Sequence, residues 1–180
     1  MQDYLIHLMI RELKAYPRLD VFTEVPVEFG TYPIWENGQV IIRQPSHLID
    51  VTVGYRLNRI QNSFIMSTDP WPRHEVSSLS KGEVVVPLPL IGISSKIRVS
   101  QGEFFDWLGH DQLLTKGNPH CLSIQVGLRT EMNLAIVEVC QATEKFFLLG
   151  RGGERNVVGN PDELQRLISI INEHLIRRMS

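Results

Sequence analysis

Tyr32-Pro33-Ile34-Trp35-Glu36-Asn37-Gly38-Gln39-Val40-Ile41-Ile42 places an Asn-Gly pair between two short runs rich in β-branched and aromatic residues. Both central residues accept positive φ, as a type I′ turn requires, so the stretch predicts a two-residue hairpin of antiparallel strands. On its N-terminal side Val21, Thr23, Val25 and Val27 alternate with Phe22, Glu24 and Glu28. Pro26 cannot donate to a ladder, which assigns that strand to a sheet border. On the C-terminal side, turn residues separate strands expected at 48–57, 63–67, 83–88, 93–99 and 146–149. Two apolar runs, 121–129 and 133–140, are joined by Thr130-Glu131-Met132 and read as a central antiparallel pair.

Helices close the chain at both ends. Leu5, Ile6, Met9, Ile10 and Leu13 recur at helical spacing behind Asp3 as N-cap, and Pro17 ends that pattern. Near the C-terminus, Asn160 as N-cap, Pro161 at the first helical position, and Asp162 and Glu163 in the first turn open a longer helix. Leu164, Leu167, Ile168, Ile171 and Leu175 form its apolar face, and Arg177 and Arg178 suit its C-terminal dipole. Ser100 and Glu103 match a capping box for a short helix that Gly109 terminates, leaving 111–118 as loop. The expected fold class is α+β: a mostly antiparallel sheet, sandwich-like or a partly open barrel, with an N-terminal and a long C-terminal helix packed on it. It forms one domain over 1–180, with 69–118 as a loop-rich insertion or arm.

Composition narrows the function classes. Eighteen basic against 20 acidic side chains leave a net charge of −2, which does not favour a dedicated nucleic-acid binder. Two cysteines are too few for a disulfide framework, so the expected setting is cytoplasmic, or virion-associated for a viral protein. No apolar run approaches the roughly 20 residues that span a bilayer, and no membrane association is expected.

The sharpest chemical pattern is a set of three carboxylates: Glu12 on the first helix, Asp50 in Leu48-Ile49-Asp50-Val51, and Glu138 in Ile136-Val137-Glu138-Val139. Acids at the ends of apolar strands can hold a divalent metal that activates water. This order resembles the PD-(D/E)xK nuclease core, over about the first 60 residues and 134–141. The resemblance implies phosphodiester cleavage with Mg or Mn at Asp50 and Glu138. Its lysine position, two beyond Glu138, holds Cys140, and 142–145 leaves no room for a crossover helix.

Other groupings are less chemical. His110-Asp111 with His120-Cys121 are zinc-ligand types without a zinc spacing, and Cys140 with His7, His47 or His174 lacks a nucleophile signature. The Gly150-Arg151-Gly152-Gly153-Glu154-Arg155 loop lacks the phosphate-binding lysine. Pro87-Leu88-Pro89-Leu90 reads as an unpaired edge or arm. With no intact catalytic motif, the leading expectation is a non-enzymatic assembly subunit without cofactor. Such a subunit acts in a homo-oligomer or a larger, virion- or tail-like complex. Trp35, Asn37, Gly38, Trp71, Pro87, Pro89, Trp107, Arg151 and Arg155 are its interface candidates.

Overall fold

Two cores, one on each face of a single open sheet, organise the protein. The computed structural model describes residues 1–28, 32–36, 39–43, 46–60, 63–66, 86–151 and 157–179; side chains of 26–28, 32–36, 39–43, 46–47, 56–60, 63–66 and 86–87 lie outside that description. In chain order the elements are α1 (Gln2–Glu12), a 3-10 turn (Leu13–Ala15), β1 (Leu19–Glu28), β2 (Tyr32–Glu36), β3 (Gln39–Arg43), β4 (Ser46–Ile60) and β5 (Ser63–Met66). Then follow β6 (Val86–Val99), α2 (Gln101–Gly117), β7 (Leu122–Thr130), α3 (Ala135–Val139), β8 (Phe146–Leu148), β9 (Gly150–Arg151), β10 (Val158–Gly159) and α4 (Pro161–Met179).

The sheet order is β1-β4-β6-β7-β8, with β5 added to β4. β4 pairs antiparallel with β1, β5 and β6, whereas β6–β7 and β7–β8 are parallel. The fold is therefore α+β with a mostly antiparallel sheet and a helix at each end, and the sheet is open rather than sandwiched or barrelled. Parallel neighbours need a crossover connection, and α2 supplies the one between β6 and β7. Among the described residues β1 is an outer strand, in keeping with Pro26. β2 and β3 pair separately in the expected hairpin register, Glu36 opposite Gln39; Asn37 and Gly38 themselves lie outside the described residues.

One face of the sheet carries α1 and α4. Leu5 and Met9 of α1, Val51 and Val53 of β4, Ile91 and Ile93 of β6, and Leu167, Ile171 and Leu175 of α4 share its fully or nearly fully buried core. The other face carries α2 and α3, where Phe104, Trp107, Val137 and Phe146 pack together. Leu114 of α2 continues that layer against Ile49 and Cys121.

Several sequence expectations change. The helix after Ser100 runs through Gly109 to Gly117, because buried Trp107, Asp111 and Leu114 outweigh the roughly 1 kcal/mol that one helical glycine costs. Residues 133–140 form no strand: both edges of β7 are already taken by β6 and β8. Asn133 Oδ1 instead accepts the Ala135 N–H at 3.0 Å and starts α3. Asp3 sits inside the first turn of α1 rather than capping it. The 69–118 segment holds β6, a strand of the sheet, and α2, which packs on it; residues 67–85 lie outside the described residues.

Pro87 and Pro89 lie inside paired strand rather than on a free edge, opposite Arg56 and Gly54. A register shift between Val53 and Gly54 accommodates them. Gly54 is required there, since a Cβ would stand 2.2 Å from the Leu88 carbonyl oxygen.

Candidate functional site

The ladder between β4 and β6 stops at the Val51–Ile93 pair. One residue further, Asp50 turns its carboxylate across the gap, where Oδ2 accepts the Ser95 N–H at 2.6 Å. Its backbone carbonyl is held from the other side by Gln2 Nε2 of α1 at 3.0 Å. Asp50 is thereby fixed where the two strands part.

The opening between them is a groove of about 300 Å³. Asp50 and Leu48 of β4, Ser94 and Lys96 of β6, and Gln125 of β7 form its floor, with Ser94 and Gln125 directly paired across the parallel ladder. The wall is α2, whose Glu103, Asp106, Trp107 and His110 recur at helical spacing along one side.

Electrostatics at the wall are set by the capping box. Glu103 Oε2 accepts from the Ser100 N–H at 2.8 Å and from Ser100 Oγ at 2.9 Å. The Ser100 backbone N–H is the largest influence holding the Glu103 carboxyl below its usual value; burial opposes it, while the Ser100 hydroxyl and the Lys96 and Arg98 cations assist. Asp106 is exposed and makes no hydrogen bond or ion pair among the described residues. Further along α2, buried Asp111 receives Lys145 Nζ on both oxygens, at 3.0 and 2.9 Å, which pins the helix to the segment before β8.

Trp107 Nε1, a donor, and Gln125 Oε1, an acceptor, belong to groove residues and are buried without a hydrogen-bond partner among the described residues. Polar groups this deeply buried are nearly always paired.

The groove's donors are of the hard oxygen kind that a divalent ion takes. Carboxylates and a hydroxyl are hard ligands, and Mg²⁺ typically takes only one or two carboxylates, completing its shell with water and substrate phosphate. No cluster of three His, Cys, Asp or Glu side chains stands ready to hold a metal among the described residues.

Of the three carboxylates singled out in the sequence, only Asp50 reaches the groove. Glu12 ends α1, which packs on the opposite face, and pairs with Arg11. Glu138 lies on α3 rather than on a strand and is not among the groove residues. The position two beyond Glu138 holds Cys140, whereas Lys96 of β6, two beyond Ser94, lines the groove. Its signal was present in Leu90-Ile91-Gly92-Ile93-Ser94-Ser95-Lys96, an apolar strand turning polar at its end. Glu103 carried only its capping-box signal, and Asp106 and Gln125 had none of their own.

The remaining candidates scatter. Burial pushes the Cys121 thiol up to about 12, with the nearby Asp111 charge adding to the effect, so it is no thiolate nucleophile. Trp107 is 3% exposed and serves the core, whereas Pro89 is half-buried in β6. Arg151 is exposed and pairs with Asp162 at 2.6 Å. Trp71 and Arg155, with the side chains of Trp35 and Pro87, lie outside the described residues.

No family model and no curated protein matches the sequence. Among solved structures, a chain of the native BbvCI A2B2 tetramer is similar over 86% of this chain, with a TM-score of 0.49 and 8% identity. This chain spans 58% of that one.

No helix among the described residues is long and apolar enough to cross a membrane.

Proposed function

We propose that the chain is a divalent-metal-dependent phosphodiesterase acting on nucleic acid, centred on the groove between β4, β6 and α2. One observation carries the reading: Asp50, Lys96, Glu103 and Asp106, drawn from three separate elements, line the same small groove. Chemistry needs these types together, because carboxylates hold a cation and an ammonium answers the charge that builds on phosphoryl oxygens. The resemblance to the PD-(D/E)xK core is better served with β6 as the strand beside Asp50. Lys96 then takes the lysine position, α2 is the crossover helix, and Ser94 stands where the pattern has an acid.

In this reading Asp50, fixed by Ser95 and Gln2, would hold Mg²⁺ or Mn²⁺ together with one of the α2 carboxylates, water and substrate phosphate completing the shell. A bound ion supplies Lewis-acid polarisation of the phosphoryl group and lowers the pKa of water. Lys96 donates to a non-bridging oxygen of the scissile phosphate. The overall charge of −2 is no obstacle to turnover, because a bound dication together with Lys96 would offset the three carboxylates of the groove. A cytoplasmic setting goes with this reading, supported by two free cysteines.

The test is cleavage of single- and double-stranded DNA and RNA with Mg²⁺ or Mn²⁺. Asp50→Ala is expected to lose on the order of 10²-fold or more in rate, since even residues that merely orient metal ligands are worth about 10–100-fold. Undiminished cleavage by that variant, or none by the wild type, refutes the assignment.

A second reading, assembly with protein partners as a homo-oligomer or larger complex, has one observation in its favour. Tyr4, Ile97, Leu128, Leu149 and Leu164 line an apolar cleft of about 570 Å³ on the α1–α4 side, and Tyr4 and Ile97 are 50% and 64% exposed. Light scattering is expected to give a mass above that of one chain; a strict monomer at high concentration removes this reading.

A further inference from the structure

The face of α2 turned away from the sheet carries an apolar line. Phe105 and Leu113 are 44% and 49% exposed, and Gly109 stands between them. The three recur at i, i+4 and i+8, on the side of the helix opposite buried Phe104, Trp107, Asp111 and Leu114. A glycine in mid-helix costs about 1 kcal/mol relative to alanine. Nothing around it asks for that cost, since a Cβ on Gly109 would meet no heavy atom within 4 Å among the described residues. A glycine centred on an exposed apolar line serves the close approach of another backbone.

The order of residues along the line says which backbone. Phe105 and Leu113 lie four residues to either side of Gly109, and Gly102 and Lys116 lie seven to either side. A two-fold axis at Gly109 therefore sets two copies of α2 antiparallel, with Phe105 of each level with Leu113 of the other. Such an isologous contact joins one patch to itself, and this patch matches itself in charge as well. Asp106 and Lys116 are both exposed and make no ion pair among the described residues. The antiparallel register brings Lys116 of one copy about one helical turn from Asp106 of the other. A partner of unrelated sequence would not call for a line that mirrors itself about one glycine. We infer that α2 is the seam of a homodimer, two copies packing through Gly109. The inference rests on the assembly reading, takes the sheet face opposite the Tyr4–Ile97 cleft, and is independent of cleavage.

Sedimentation at high protein concentration tests it, because a single helix seam falls at the small end of interface sizes, below roughly 1,200 Å². The wild type is expected to show twice the mass of one chain. Gly109→Glu is expected to show the mass of one chain while holding or raising Tm, because glutamate is the better helix former and two carboxylates would meet at the axis. Gly109→Cys is expected to cross-link two copies under mild oxidation, since a residue on the axis faces itself. Gln112→Cys, also exposed but off the axis, is expected to cross-link at least about tenfold more slowly. A strictly monomeric wild type overturns the seam and the assembly reading together. A doubled mass that survives Gly109→Glu leaves assembly standing through another surface and overturns the seam alone. Equal cross-linking at the two positions overturns it too. So does a loss of several degrees in Tm for Gly109→Glu, which would show the line to be covered within a single chain.

Discussion

Replacing Lys96 with methionine is expected to slow phosphodiester cleavage by about 10²–10³-fold, the usual cost of removing one donor aimed at developing charge. Methionine keeps most of the aliphatic reach and removes only the ammonium. Lys96 is exposed at the end of β6, so little packing is lost and Tm is expected to hold. The effect belongs in single-turnover kcat more than in KM, because the phosphoryl oxygens gain negative charge on the way to the transition state. Arginine, which keeps the charge in a broader, planar head, is expected to restore only part of the rate. Wild-type turnover by Lys96→Met would remove the charge argument on which the groove's chemistry rests.

The second large effect concerns stability. Phe104 is fully buried and stands edge-on to Phe146, ring centroids 5.6 Å apart, with Trp107 at 5.8 Å. It joins the first turn of α2 to β8 across the smaller of the two main cores. Phe104→Ala is expected to cost about 3–5 kcal/mol, through lost transfer energy and the cavity left behind. A urea or guanidinium melt measures it. Because Glu103, Asp106 and His110 ride on the same helix, metal-dependent cleavage is expected to weaken even under conditions where the variant remains folded. Phe104→Leu, which refills most of the volume, is expected to recover much of both. Unchanged stability for the alanine variant would mean that α2 is held by its Asp111–Lys145 pair and by Leu114 rather than by this aromatic cluster.

Much of the architecture was legible from local pattern. The terminal helices, the 32–42 hairpin, the border position of β1 and the Ser100–Glu103 capping box are each decided within a few residues. Other features depend on pairing between distant segments. Ile136, Val137 and Val139 have β-branched side chains suited to a strand, yet β7 already has two neighbours and the segment coils into α3. Gly109 looked like a stop because the burial of Trp107, Asp111 and Leu114 is invisible without the sheet beneath. The candidate site was half legible for the same reason. Asp50 stands out as an acid inside an apolar strand, whereas Lys96 means nothing until β6 is known to lie beside β4.

The larger core has a consequence for how the chain acquires its shape during synthesis. Its floor is laid down by β1, β4, β6 and β7, with α1 made before them, yet Leu167, Ile171 and Leu175 arrive only after all of these. Until the ribosome has delivered α4, Leu5, Met9, Val51 and Ile91 lack part of their cover. Contacts of such long sequence separation form slowly, and an exposed apolar surface in a nascent chain invites aggregation. The emerging polypeptide therefore carries an aggregation-prone surface until α4 docks.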